Sequence, residues 1–256
     1  MLKIRVIPTL LWKNLGLVKG IGFDSWRRVG TVLPAIKVYN MRDVDELIVV
    51  DIVASREQRP PDHDSVADFS SFCFVPLTVG GGITDVEQIG GLLRAGADKI
   101  SLNTSAFTNP ELVTAAARRF GSQCVVASID VKQHENGRKL CASHSGTVET
   151  GRDAVAWARE LADRGAGEIL LTSIDRDGTM EGYDLDLIAA VAEAVAIPVI
   201  ASGGAGQYAH LIEAIQAGAS AVAAASMFHY TEQTPLGAKK ALQAAGFPVR
   251  RSLAAA

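Results

Sequence analysis

Only three cysteines occur in 256 residues, and none has CxxC spacing, so neither a disulfide framework nor a thiolate metal site is available. Cys73, Cys124 and Cys141 make an odd number, which points to a reducing cytoplasm; Cys124, inside an apolar run, is expected to pack as a small hydrophobe. No uninterrupted apolar stretch approaches the ~18 residues that a membrane-spanning helix needs. The opening MLKIRVIPTLL passes directly into a strand pattern, so no cleavable signal is expected. A net charge of −3 has neither the sign nor the size of a nucleic-acid-binding surface. Histidine is scarce too: His63, His134, His144 and His210 fall in polar loops or at helix starts without metal-ligand spacing. No metal and no cofactor is therefore expected. His229, after the last strand, reads as a packing residue ahead of a ligand contact.

What remains is a chain rich in core material, with 48% apolar and 21% charged residues. Eight β-branched runs stand out: IRVIPTL (4–10), ELIVVDI (46–52), VPLTV (75–79), KISLN (99–103), CVVASID (124–130), EILLTSI (168–174), IPVIAS (197–202) and AVAAAS (221–226). Helical patterns fall between them, among others at 86–97, 110–120, 152–166 and 185–196. Several end in Gly-Ala (Gly96-Ala97, Gly165-Ala166, Gly218-Ala219), the signature of a left-handed cap feeding the next strand. Apolar strands alternating with helices specify a parallel sheet covered on both faces. Eight such units close into a (β/α)8 TIM barrel, with an open doubly wound sheet as the alternative.

An internal repeat supports closure. Pro76-Leu-Thr-Val-Gly-Gly-Gly82 matches Pro198-Val-Ile-Ala-Ser-Gly-Gly204 at an offset of 122 (198 − 76). Ala95-Gly96-Ala97-Asp98 matches Ala217-Gly218-Ala219-Ser220, and Glu46-Leu-Ile-Val-Val matches Glu168-Ile-Leu-Leu-Thr, in the same register. A unit this long is half a barrel, giving half-barrels at about 1–122 and 123–250 of one domain spanning 1–256. The longest connections follow the first, second and fifth strands, at 11–30, 54–63 and 131–150; the first contains four glycines and could close over a ligand. The third reads as a polar excursion in the form of a small ribbon.

The repeat also duplicates a candidate site. Gly80-Gly81-Gly82 and Ser202-Gly203-Gly204 each lie between a strand and a helix, where backbone N–H groups can face an anion. Each has a hydroxyl-bearing companion after the next strand, Asn103-Thr104-Ser105 and Ala225-Ser226, and Asp177-Gly178-Thr179 adds a third glycine element. One such turn is as often a tight connection as a phosphate site. Two in related positions favour a phosphate reading and an elongated small-molecule ligand charged at both ends.

The segments VIP (6–8), LVKG (17–20), VDELIVVDI (44–52), LTVGGGI (77–83), RAGADKISLNT (94–104), GSQCVVASID (121–130), EILLTSIDRDGTMEGYD (168–184) and IPVIASGGAG (197–206) resemble the HisF family, the cyclase subunits of imidazole glycerol phosphate synthase. The similarity spans about residues 1–250, and GSQCVVASID and EILLTSIDRDGTMEGYD set it apart from the sister HisA isomerases. It implies a lyase acting with ammonia on a bisphosphorylated ribulose-type substrate, in a heterodimer with a HisH-like glutaminase. It also implies an ammonia gate of four charges at the barrel bottom, matched by Arg5, Glu46, Lys99 and Glu168; a pure stability plug is the other reading of that ring. Asp130 matches one of the family's two catalytic aspartates, and Lys19 a ligand-contacting lysine.

One position departs. Where the family reads Cys-Leu-Asp-Val, this chain reads Thr9-Leu10-Leu11-Trp12, so Leu11 stands at the first catalytic aspartate. Lys13-Asn14-Leu15-Gly16 likewise replaces the family's Lys-Asp-Gly-Arg. Each proton-transfer group contributes ~10²–10⁴-fold to rate, so the usual ring closure is expected to be crippled. A Leu-Leu-Trp-Lys start with an intact gate resembles a HisF-like paralog group of surface-polysaccharide loci. In that group ammonia serves sugar amidination alongside a sugar amidotransferase. That reading is preferred here, with an ordinary synthase of histidine biosynthesis and a non-catalytic phosphate-binding scaffold as the alternatives.

Overall fold

The computed structural model describes residues 3–14 and 16–250, so Leu15 lies outside the described residues. The barrel strands are β1 (Arg5–Lys13), β2 (Leu47–Asp51), β3 (Leu77–Gly80), β4 (Lys99–Leu102), β5 (Val125–Gln133), β6 (Glu168–Ser173), β7 (Val199–Ser202) and β8 (Ala221–Ala224). Each pairs in parallel with its sequence neighbour, and β8 pairs in parallel with β1, so the sheet closes as expected of a (β/α)8 barrel.

Four of the helices between strands begin on side-chain caps. Asp62, Asp85, Asp153 and Asp184 accept hydrogen bonds from backbone N–H groups of the first turn, each such cap being worth about 1 kcal/mol. Gly96, Gly165 and Gly218 adopt φ of +103°, +99° and +108°, which is why the Gly-Ala pairs recur at these helix ends.

Strand periodicity sorts the core into two compartments. Outward-facing residues such as Val6, Leu47, Val49, Ile169 and Val199 pack against the helices in the larger cluster. Inward-facing residues Ile7, Ile48, Val126, Leu170 and Ile200, with Ala221 and Ala223, form a separate cluster inside the barrel. Two strand residues separate successive inward positions. Thus β1 presents Arg5, Ile7, Thr9 and Leu11 to the interior in rising order, and β6 presents Glu168, Leu170 and Thr172.

One connection differs from the sequence expectation in a way that shapes the mouth. β1 does not end at residue 10; it runs to Lys13 and pairs antiparallel with Gly16–Ile21, which pairs in turn with Asp24–Gly30. The described residues of segment 11–30 therefore form a twisted β-ribbon and not an open loop. Backbone pairing satisfies N–H and C=O groups that a loop would leave to water. The 131–150 excursion is a ribbon as expected, Lys139–Ser143 pairing with both the end of β5 and Val148–Asp153. Cys124 is not within β5; it ends a short 3₁₀ turn, half-buried, with its thiol directed at the Phe120 carbonyl. Cys141, in the second ribbon, is the buried thiol. Among the described residues no helix is long and apolar enough to cross a membrane.

Candidate functional site

A pocket opens at the C-terminal ends of the strands, where barrels of this kind place their chemistry. Its wall includes Gly80, Gly81, Gly82, Asn103, Thr104 and Ser105 on one side and Ser202, Gly203, Gly204, Ala225 and Ser226 on the other. Asp130, Asp177, Gly178, Lys19 and Leu11 line the same space, so the residues singled out at the mouth are brought together. Among the described residues lining it, Lys19 is the one cation, so the other donors available to an anion are neutral: backbone N–H groups, hydroxyls and the Asn103 amide.

The glycines have a structural reason that the sequence did not reveal. Gly81 and Gly82 have φ of +108° and +73°, and Gly203 and Gly204 of +87° and +109°. A Cβ on Gly81 would stand 2.3 Å from the Asp51 carbonyl oxygen, and one on Gly203 would stand 2.5 Å from that of Ser173. Backbone of the adjoining strand end therefore excludes any side chain, whatever else the turns bind. The N–H of Gly82 donates to Ser55 Oγ at 3.3 Å.

Each glycine turn and its hydroxyl-bearing companion form a cup, and Asp130 lies at the level of these two cups, almost out of solvent. Burial, reinforced by the nearby Asp177 carboxylate, pushes its pKa up to about 7, against the opposing pull of Thr172 and Ser128 hydrogen bonds. Asn103 Nδ2 donates to Asp130 Oδ2 at 3.2 Å while also reaching the Ser128 carbonyl at 3.1 Å. That fork fixes the carboxyl in place, and a group with a pKa near neutrality can give or take a proton. Thr104 Oγ accepts from the His144 N–H at 3.0 Å, tying this cup to the second ribbon.

Lys19 and Asp177 pair with each other. Lys19 Nζ meets Asp177 Oδ2 at 2.5 Å with the lysine only 2% exposed, and the Gly22 N–H donates to the Asp177 carbonyl at 2.8 Å. A Cβ on Gly178 would stand 2.3 Å from the Gly20 carbonyl oxygen. The Asp177-Gly178 turn thus seats the first ribbon on the mouth, and Phe23 and Trp26 of that ribbon complete the pocket wall. Burial raises the Asp177 pKa although Lys19 pulls it down.

Opposite Asp130 the wall is apolar. Leu11 packs with Val18, Ile52, Val53, Trp26 and Val50, a cluster at the mouth separate from both core compartments. Asp51 also lines the pocket, and sequence reading passed over it. A carboxylate ending the apolar strand LIVVD was the available signal. Its Oδ1 accepts from the Val53 and Ala54 N–H groups at 3.0 Å each and its Oδ2 from Arg59 at 3.3 Å, so it braces the loop after β2.

At the other end of the barrel the four charges form a closed cycle. Arg5 reaches Glu46 at 2.8 Å and Glu168 at 2.7 Å; Lys99 reaches Glu46 at 3.0 Å and Glu168 at 2.9 Å. Each cation bridges both anions, which keeps four part-buried charges paired. The ring sits one inward position below Ile7, Ile48, Ser101 and Leu170, so a single layer, apolar except for Ser101, separates it from the pocket.

The histidines stay outside the pocket wall. His229 packs between Tyr39 and Tyr230, and burial, with Lys19 nearby, lowers its pKa to about 4, so it is a neutral packing residue. His63 lies 3.3 Å from the Gln88 carbonyl, and His210 Nδ1 accepts from the Gly206 N–H. Among the described residues no group of three or more His, Cys, Asp or Glu could hold a metal ion.

Residues 5–234 match the family described as "Histidine biosynthesis protein". The chain is 47% identical over 252 residues to the imidazole glycerol phosphate synthase subunit HisF of Gluconacetobacter diazotrophicus, covering 98% of each sequence. It is likewise 47% identical over 249 residues to the subunit of that name from Streptomyces coelicolor, covering 97% of this chain and 99% of the relative. With its closed barrel, this chain belongs to the HisF family.

Proposed function

We propose that the chain is a HisF-type synthase subunit whose barrel receives ammonia from a HisH-like glutaminase and brings it to a two-phosphate ligand held between the glycine cups. The observation that carries this is one axis of inward-facing residues: the charge cycle of Arg5, Glu46, Lys99 and Glu168 below, one largely apolar layer, then Asp130 between the cups. Ammonia is small and neutral enough to pass an apolar layer that excludes ions. Each half-barrel contributes one cup, and Asp130 of the second half supplies the proton transfer. The test is co-purification with a HisH-type glutaminase and measurement of glutamine hydrolysis. Addition of this chain with a ribulose-type bisphosphate should raise hydrolysis, and an unchanged rate would contradict the proposal.

The acceptor of the ammonia is a finer question, on which Leu11 bears. The standard HisF reaction closes an imidazole ring and needs proton transfer on both sides of the reacting centre. Here the β1 side carries Leu11 in an apolar wall. This favours a second reading, in which the barrel relays ammonia for amidination of an acetamido sugar by a sugar amidotransferase in surface-polysaccharide synthesis. Reconstitution of the three proteins with an acetamido sugar nucleotide tests it. Loss of amidination in Asp130→Asn with partner binding intact would also exclude a purely scaffolding barrel.

A further inference from the structure

On the inward face of β1, two residues below Leu11, Thr9 lines the pocket while its Oγ has no hydrogen-bond partner among the described residues, although the atom is out of solvent. The Thr9 backbone is fully placed, in register with Ile48 of β2. The unmet group is the hydroxyl alone. Leaving a buried hydroxyl without a partner is unfavourable, and valine has nearly the same shape without that cost. Of the inward residues of β1, Arg5 is engaged in the charge cycle, Ile7 is apolar and Leu11 is apolar. Thr9 is thus the one neutral polar group that β1 offers to the pocket.

We infer that Thr9 is a specificity-determining residue: its hydroxyl bonds an uncharged polar group, a hydroxyl or carbonyl, on the middle of the ligand that spans the cups. This rests on the two-phosphate reading of the pocket. With Leu11 above it, the β1 wall pairs one neutral hydrogen-bonding group with an apolar surface and carries no counter-charge. It therefore selects a ligand whose face toward β1 is neutral and hydroxylated, and disfavours one presenting a cationic nitrogen there. Thr9 is a positioning contact; a hydroxyl of this kind does not ionise near neutral pH and takes no proton-transfer role.

The experiment uses the full chain, with ribulose bisphosphate as probe, in wild type, Thr9→Val and Thr9→Ser. Calorimetry should show Thr9→Val weakening binding roughly 3- to 10-fold, the effect of one hydrogen bond, with Thr9→Ser close to wild type. Ligand-free Thr9→Val should melt no lower than wild type. Equal affinity for all three proteins would overturn the assignment. If wild type does not bind the probe, the two-phosphate reading fails separately, and ligand-free melting still decides the hydroxyl's role. A Thr9→Val protein that melts lower would show a structural hydrogen bond and overturn the inference, and one that melts higher would uphold an unmet hydroxyl kept for a ligand.

Discussion

The ammonium of Lys19 and the carboxylate of Asp177 meet at 2.5 Å, joining the first ribbon to the turn after β6 across 158 residues of sequence. Both are buried, and together they hold Phe23 and Trp26 over the pocket. Removing one partner from such a pair strands the other charge, a loss of about 3–5 kcal/mol. Lys19→Met should therefore lower Tm by roughly 10 °C for a chain of this size and expose the ribbon to limited proteolysis. A variant melting with wild type and equally resistant to protease would show that the pair does not seat the ribbon.

Asp130 gives a pH dependence whose sign is fixed by its environment. Its folded pKa, about 7, lies above the ordinary carboxylate value of 3.8. The folded state thus binds the proton more tightly, and stability present below about pH 4 is lost as pH rises through 7. The full difference is on the order of 4 kcal/mol. Asp130→Asn, which keeps the shape without the charge, should melt higher than wild type at pH 8 and lose that advantage near pH 4. Parallel melting curves across that range would place the carboxyl in a wetter site than the structure describes.

The charge cycle predicts a coupling effect. Arg5→Ala leaves Glu46 and Glu168 with Lys99 as their shared counter-charge. Glutamine consumed per product formed should rise in the assembled complex, because ammonia escapes an opened ring. Unchanged coupling would assign the cycle to stability alone.

The barrel was legible because its signals are local and repeated. Apolar strands at regular spacing, Gly-Ala helix ends and the 122-residue repeat each follow from short-range patterns. The four charges of the cycle were legible for a related reason, standing at or just before the starts of otherwise apolar strands. The ribbon at 16–30 was not, because Gly16, Gly20 and Gly22 read as loop punctuation while the pairing of Leu11 with Val18 depends on tertiary placement. Nor was the Lys19–Asp177 pair, which joins two distant segments. The glycine cups were found by sequence for one reason and are glycine in the structure for another, the close approach of the Asp51 and Ser173 carbonyls.

Leu11 bears on stability as well as chemistry. It contributes to the apolar wall with Val18, Ile52 and Val53, so Leu11→Asp places a carboxyl among hydrocarbon at a cost of roughly 1–3 kcal/mol. That variant should melt several degrees lower than wild type. A protein that melts no lower would mean that the wall is already hydrated.

We propose that this barrel keeps a HisF-type site but lacks proton transfer from β1. It is tested most directly by giving wild type and Leu11→Asp the ribulotide substrate of imidazole glycerol phosphate synthase with saturating ammonium salt, and measuring ring closure. The account predicts wild-type turnover ~10²–10⁴-fold below that of a HisF carrying both aspartates, with Leu11→Asp recovering a measurable part of it. Wild-type turnover at the level of such a HisF, with no gain from Leu11→Asp, would contradict it.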